Sequence, residues 1–259
     1  MLLGVNIDHI AVLREARKIN DPSPIDAVGI CKLAGANQIT IHLREDRRHI
    51  NDDDTIAIIK HSQLPVNLEC SINEEIIDIA CRLKPHRVTL VPENRDEVTT
   101  EGGLDLKNNF ERIQIAVDKL MACEIEVSLF IDPSLEMVKL SDELEVSWVE
   151  LHTGTFANVY AMLFSGLNKS SHCIKSLDLS RAELSEKLNQ SLEDIKNSAE
   201  YAEELELKVA AGHGLNYNNV EHITDILEID ELNIGQSIIA RSIFVGLNDA
   251  IKQMKVLTD

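Results

Sequence analysis

The sequence predicts one α/β domain over residues 1–259, a (β/α)8 TIM barrel with extra helical segments. Three observations predict it. Eight short β-rich runs alternate with helix-forming segments, the order expected of parallel strands joined by crossover helices. A length of 259 residues suits eight such units in one domain. Within the runs, alternate residues divide into an aliphatic set and an unusually polar set, so each strand has one face for outer helices and one for an interior.

The runs are Leu2–Asp8, Gln38–Leu43, Pro65–Cys70, Arg87–Val91, Glu126–Asp132, Ser147–His152, Leu207–Gly212 and Glu231–Gly235. In the first, Leu3, Val5 and Ile7 oppose Asn6 and Asp8. In the second, Ile39, Ile41 and Leu43 oppose Thr40, His42 and Arg44. In the third, Val66 and Leu68 oppose Asn67 and Glu69; in the sixth, Val149 and Leu151 oppose Glu150 and His152. Ser23-Pro24 sets a cap residue before a first-turn proline, and Gly35 closes that helix. Ser71-Ile-Asn-Glu74 has capping-box spacing, as has Ser180-Arg-Ala-Glu183. Pro92–Leu104 is polar, ends in Gly102-Gly103, and reads as a lid at a strand end. Ser165–Ser180 reads as a surface excursion, followed by a long charged helix from about Arg181 to Glu206.

Composition narrows the function. Hydrophobic residues make up 44% and aromatics only 3%, so aliphatic side chains build the core. A formal net charge of -19 disfavours nucleic acid and anionic membrane as partners. No apolar run approaches the ~18 residues of a membrane span. The N-terminal MLLGVNIDHI reads as a strand and not as a signal peptide. Cys31, Cys70, Cys81, Cys123 and Cys173 form no C-x-x-C pair and read as free buried thiols of a reducing, cytoplasmic compartment.

Polar interior faces are costly unless their groups are paired or used. Here the charged ones gather at the C-terminal strand ends, where barrel enzymes keep their active sites. A buried Glu150–Arg44 ion pair is the structural alternative. His42-Leu-Arg-Glu-Asp-Arg-Arg-His49, with Arg14 and Arg17 after the first strand, makes a basic cluster on an acidic chain and predicts an anionic ligand, most simply phosphate. Ala211-Gly-His-Gly214 and Ile234-Gly-Gln-Ser-Ile238 end the last two strands, the usual phosphate position in this fold. For proton transfer the candidates are His42, Glu69 and His213, each ending a different strand. His9 and His152 also fall at strand ends, whereas His61, His86, His172 and His222 read as surface residues.

Other chemistries lack their residues. Lys208 stands at the start of its strand, the wrong end for a covalent imine. No H-x-H follows the first strand, and neither a nucleophile elbow nor a GxGxxG fingerprint is present. Proton transfer and phosphate recognition remain, with no enzyme-bound cofactor and no metal required.

Asn6-Ile-Asp-His9, His42–His49, Val98-Thr-Thr-Glu-Gly-Gly103, Val127–Asp132, Ala211–Gly214 and Glu231–Gly235 closely resemble the signature stretches of the pyridoxine 5'-phosphate synthase family. The resemblance runs from first strand to last. It implies a transferase that condenses 3-amino-2-oxopropyl phosphate with 1-deoxy-D-xylulose 5-phosphate, yielding pyridoxine 5'-phosphate, phosphate and water in vitamin B6 biosynthesis. His42 and Glu69 match the family's general bases, His213 its proton donor, and Glu150 a residue supporting the transition state. Asp8, His9, Arg44, His49 and Thr99 match contacts to the deoxyxylulose phosphate. Asn6, Arg17, Gly214, Gly235 and Gln236 match contacts to the amino-ketone phosphate. Gln236 departs from members that carry histidine there. The resemblance also implies a homo-octamer.

Two other readings stay open at this level. One is a metal-dependent barrel lyase or hydrolase using His42, Glu69, His152 and His213. The other is a non-catalytic phosphosugar-binding barrel.

Overall fold

The computed structural model describes residues 1–93 and 102–259. Its strands are β1 (Leu2–Asn6), β2 (Gln38–His42), β3 (Val66–Cys70), β4 (Arg87–Leu90), β5 (Glu126–Ile131), β6 (Trp148–His152), β7 (Lys208–Gly212) and β8 (Glu231–Ile234). All pairings are parallel, in chain order, and β8 closes on β1. The helices are α1 (Asp8–Glu15), α2 (Pro24–Ala34), α3 (Asp52–His61), α4 (Glu74–Leu83), α5 (Leu106–Ala122), α6 (Leu135–Glu143), α7 (Gly154–Phe164), α8 (Arg181–Glu204), α9 (Glu221–Thr224), α10 (Gln236–Val245) and α11 (Leu247–Thr258). Each predicted run forms a strand, within a residue or two at its ends. At β1 the difference has a cause: Asn6 Oδ1 accepts the Asp8 N–H at 2.9 Å, which turns the chain so that Asp8 opens α1.

Parity assigns the two layers as expected. Leu3, Val5, Ile39, Ile41, Leu68, Val149 and Leu151 are fully buried in one apolar cluster beneath the helices. The polar set fills the barrel. At its N-terminal end Arg87 Nη1 donates to Glu231 Oε1 at 2.9 Å, Gln38 Nε2 donates to the same oxygen at 2.9 Å, and the guanidinium stacks 3.6 Å from the Trp148 ring centroid. This buried ion pair lies at the opposite end of the barrel from Glu150 and Arg44, whose pairing was the structural alternative to a functional site. In the next layer up, Thr40 Oγ1 donates to Asn233 Oδ1 and Asn233 Nδ2 donates to Glu150 Oε2, both at 2.9 Å. The lower end is thus a tightly packed polar plug, and the upper end is open to chemistry.

Local signals fared unevenly. Ser23, Pro24 and Gly35 bound α2 as expected, Gly35 at φ 98° in the left-handed region. The Ser180–Glu183 capping box opens α8. Ser71 is not a cap: its hydroxyl donates to Glu45 Oε1 at 2.7 Å, and Asn73 caps α4 instead by accepting the Glu75 N–H. Residues 165–180 carry two short 3-10 turns, Leu167–Lys169 and Lys175–Leu177, seated on a small apolar cluster around Val159, Met162 and Leu184. The five cysteines are free; Cys31 and Cys70 are buried, but Cys81, Cys123 and Cys173 are only half-buried. Most of the predicted lid, residues 94–101, lies outside the described residues. Among the described residues no helix is long and apolar enough to cross a membrane.

Candidate active site

The C-terminal strand ends enclose a cavity of about 450 Å³. Its floor is polar because β3, β6 and β8 each send an inward side chain to it: Glu69, Glu150 and Asn233. Glu150 is 3% exposed, and Gly212 on the neighbouring strand leaves room for it, since a Cβ there would stand 2.4 Å from Glu150 Oε1. Burial, with repulsion from Glu231, pushes the Glu150 carboxyl up to about 7. Burial pushes Glu69 well above the usual carboxylate range too, reinforced by the charges of Glu150 and Asp8. The Glu150 carboxyl therefore exchanges protons more readily near neutrality than a surface glutamate does, and Glu69 holds its proton more tightly than one.

One wall is built on His42. Its backbone N–H donates to Asp8 Oδ1 at 2.9 Å, tying the end of β2 to the start of α1. Its ring lies between two carboxylates, with Nδ1 3.9 Å from Glu69 Oε2 and Nε2 3.0 Å from Glu93 Oε1. Glu93 is held by the Glu45 N–H on its other oxygen at 2.9 Å and has Arg44 Nε 3.7 Å away. Asp8 is pushed upward by burial, partly offset by His42. His9 and His49 complete this side; burial lowers both, and Arg44 lowers His49 further.

His213 forms the opposite wall. It is a non-glycine residue at φ 82°, a costly conformation that the fold holds in place. Thr153 does the holding: its Oγ1 lies 2.7 Å from the carbonyl oxygens of both Gly212 and His213 and shares its one hydrogen between them. Burial, then the neighbouring His152, lowers His213 to about 4. The rings of His152 and His213 meet edge to face at 5.1 Å, and Phe130 packs against both.

The remaining side is where β7 and β8 end. Gly214, Gly235 and Gln236 line it, and Gln236 opens α10 with no side chain capping that helix. The first N–H groups of α10 thus meet the cavity mouth uncapped. A Cβ at Gly235 would fall 2.8 Å from Asn6 Cβ, so only glycine lets β8 turn this close to β1.

Of the residues singled out in the sequence, His42, Glu69, His213, Glu150, Asn6, Asp8, His9, Arg44, His49, Gly214, Gly235 and Gln236 all line this one cavity. Arg17 does not: it is exposed beyond the end of α1. Arg14 is no anion ligand either; it is buried and bound to Asp54 at 2.7 and 2.8 Å and to the His49 carbonyl. Thr99 lies outside the described residues. Sequence reasoning missed Glu93 and the pairing of His152 with Asp132. Glu93 stood in the stretch read as a lid, and both pairings join groups from different strand ends, whose contacts the one-dimensional sequence does not display. Among the described residues no group of three or more His, Cys, Asp or Glu is arranged to hold a metal ion, so the metal-dependent alternative has no ligand set there.

Comparison with known proteins bears on the fold and on the family. Solved structures with the same architecture include the tryptophan synthase α-subunit of Pyrococcus furiosus, at 10% identity and TM-score 0.60 over 99% of this chain and 97% of that one. N-(5'-phosphoribosyl)anthranilate isomerase from the same organism matches at 12% identity and TM-score 0.58, over 100% and 98% of the two chains. At such identities the likeness concerns the fold alone. Sequence relatives are far nearer. The pyridoxine 5'-phosphate synthase of Aliarcobacter butzleri is 70% identical over 99% of this chain and 98% of its own length. That of Nitratiruptor sp. is 63% identical over 100% and 98%. The family model described as pyridoxal phosphate biosynthesis protein PdxJ matches residues 3–259, and the chain belongs to the PdxJ family.

Proposed function

We propose that this chain, a pyridoxine 5'-phosphate synthase, joins 3-amino-2-oxopropyl phosphate to 1-deoxy-D-xylulose 5-phosphate by general acid–base catalysis, without a bound cofactor. The observation that carries the reading is the placement of His42, Glu69 and His213 around one cavity, His42 on one wall, Glu69 on the floor beside it and His213 on the other wall. The amine belongs to a substrate, so the imine forms between substrates and needs no enzyme lysine. Water, phosphate and ring protons must then leave in turn. In this reading Glu69 and His42 remove protons from the joined substrates, and His213 delivers a proton to a departing oxygen. Its depressed affinity for protons makes it a strong donor once charged. Glu150, beneath the reacting atoms, supports the charge that develops above it.

The uncapped start of α10, with Gly214, Gly235 and Gln236, suits the amino-ketone phosphate. Asp8, His9, Arg44 and His49 suit the deoxyxylulose phosphate on the opposite side. Arg17 and Thr99 carry no step in this scheme. A cytoplasmic homo-octamer belongs to the same reading, and the mass in solution tests the assembly.

The experiment is to mix both substrates with the purified protein and follow pyridoxine 5'-phosphate by its absorbance and mass. Product that requires both substrates is the expected result. Tight binding of the phosphosugar with no product would instead favour a binding barrel.

A further inference from the structure

His152 packs directly behind the cavity-lining His213, has a carboxylate partner, and is used by no step above. It ends β6, is 5% exposed, and its Nδ1 lies 3.1 Å from Asp132 Oδ1. Asp132 follows β5 and is itself fixed, because the same oxygen accepts the Gly103 N–H at 2.9 Å. A carboxylate oxygen can only accept, so it selects the His152 form with hydrogen on Nδ1. Nε2 is then an acceptor, and it is buried with no hydrogen-bond partner.

That unpartnered nitrogen faces the His213 side. A Cβ on Gly154 would stand 2.3 Å from His152 Nε2 and 3.1 Å from His213 Cδ2, so one small space separates the two rings and only glycine keeps it open. A second glycine serves the other end of the chain: a Cβ on Gly103 would lie 2.1 Å from the Asp132 nitrogen. Phe130, its ring centroid 5.1 Å from that of His152, braces the pair from β5. Gly103, Asp132, His152 and Gly154 thus form a continuous arrangement ending on His213.

We propose that Asp132 and His152 are a positioning pair for His213: Asp132 fixes the His152 ring, and His152 sets the orientation and charge of His213 across the Gly154 gap. The inference rests on the reading of His213 as proton donor. The titratable groups beside the pair are His213, which follows β7, and Glu150, two residues back on the same face of β6. The His152 contact is the chief influence holding Asp132 below the usual carboxylate range, so the carboxylate stays charged throughout the working pH range.

The test combines Asp132→Asn, His152→Phe, their double variant and His213→Gln. Asn keeps the shape and one acceptor for the Gly103 N–H but removes the charge; Phe keeps a ring against Phe130 and His213 but removes both nitrogens. Each single variant is expected to lose roughly 10-fold to 100-fold in kcat, the range for removing a partner that orients a functional imidazole. KM for both substrates should hold, and the pH dependence of kcat should shift. The double variant should be no worse than the worse single, because the two act through one ring. Wild-type kcat in either single variant, or losses that multiply, overturns the pair. If His152→Phe does not fold, Asp132→Asn decides alone, since its side chain is 60% exposed. Full turnover in His213→Gln overturns the donor assignment instead; crippled His213→Gln beside normal Asp132→Asn and His152→Phe overturns only the positioning pair.

Discussion

The imidazole of His42 rests against the carboxylate of Glu93, Nε2 to Oε1 3.0 Å, and both side chains are more than nine-tenths buried. Burial alone would raise Glu93, but His42, the Glu45 N–H and Arg44 outweigh it and the carboxyl is held low. The contact lacks hydrogen-bond geometry, but the nearer negative charge at Nε2 favours hydrogen there and leaves Nδ1, the nitrogen facing Glu69, as the acceptor. Glu93 thereby orients the base without touching the reaction itself.

Glu93→Gln is accordingly expected to lower kcat by about 10² while leaving KM nearly constant. Glutamine can still accept the Glu45 N–H, so the melting temperature should move little. Steady-state kinetics with thermal melts of the same preparations check this; a large fall in melting temperature at unchanged kcat would make Glu93 a structural residue.

Glu69 faces the cavity floor with 17% of its side chain exposed and shares it with two other buried acids. Glu69→Gln removes the base and one repulsive charge together. Turnover should fall by ~10² to 10⁴, with stability unchanged or improved. Glu69→Asp should lie between, because its carboxylate retreats by one methylene. Near-normal turnover in an unstable Gln variant would strike Glu69 from the catalytic residues.

Much of this site was legible in sequence because barrel strands report their faces by parity. Glu69 and Glu150 needed only the alternation of Val66, Leu68, Val149 and Leu151 to be placed inward. What was not legible depended on which strands become neighbours in space or on competition for one group. Arg87 and Glu231 are 144 positions apart and meet across the barrel. Ser71 carries a capping-box spacing, yet Glu45 takes its hydroxyl. Arg14 and Arg17 read alike as basic residues near a strand end, but α1 turns Arg14 into the Asp54 pair and leaves Arg17 outside the cavity.

Glu150 makes a stability prediction with a definite sign. Its folded value of about 7 exceeds the 4.5 of a free glutamate, so the folded state holds the proton more tightly. The stability this gives is fully present below pH about 4.5 and is lost progressively as pH rises to about 7. At 1.36 kcal/mol per unit the loss is on the order of 3 kcal/mol. Glu150→Gln stays neutral and can still accept from Asn233. It should therefore melt higher than wild type at pH 8, match it more closely at pH 5, and turn over slowly. An equal difference in melting temperature at the two pH values would show that Glu150 is not strained by its charge.

Gly235 tests the anion end against a control in the same chain. A Cβ there would meet Asn6 Cβ at 2.8 Å and the Asn6 oxygens at 3.0 Å, so either β1 or the start of α10 must shift. Overpacking of this kind typically costs ~1–3 kcal/mol. Any displacement of α10 also moves its first N–H groups, on which the amino-ketone phosphate is placed. Gly235→Ala should therefore raise KM for that substrate by more than it raises KM for the deoxyxylulose phosphate. Gly29 is exposed in the middle of α2, and a Cβ there meets nothing within 4 Å. Gly29→Ala should leave both KM values alone and add up to ~1 kcal/mol of stability through helix propensity. Urea unfolding and two-substrate kinetics on both variants separate the effects. If Gly235→Ala changed both KM values equally, the α10 start would not belong to one substrate's phosphate.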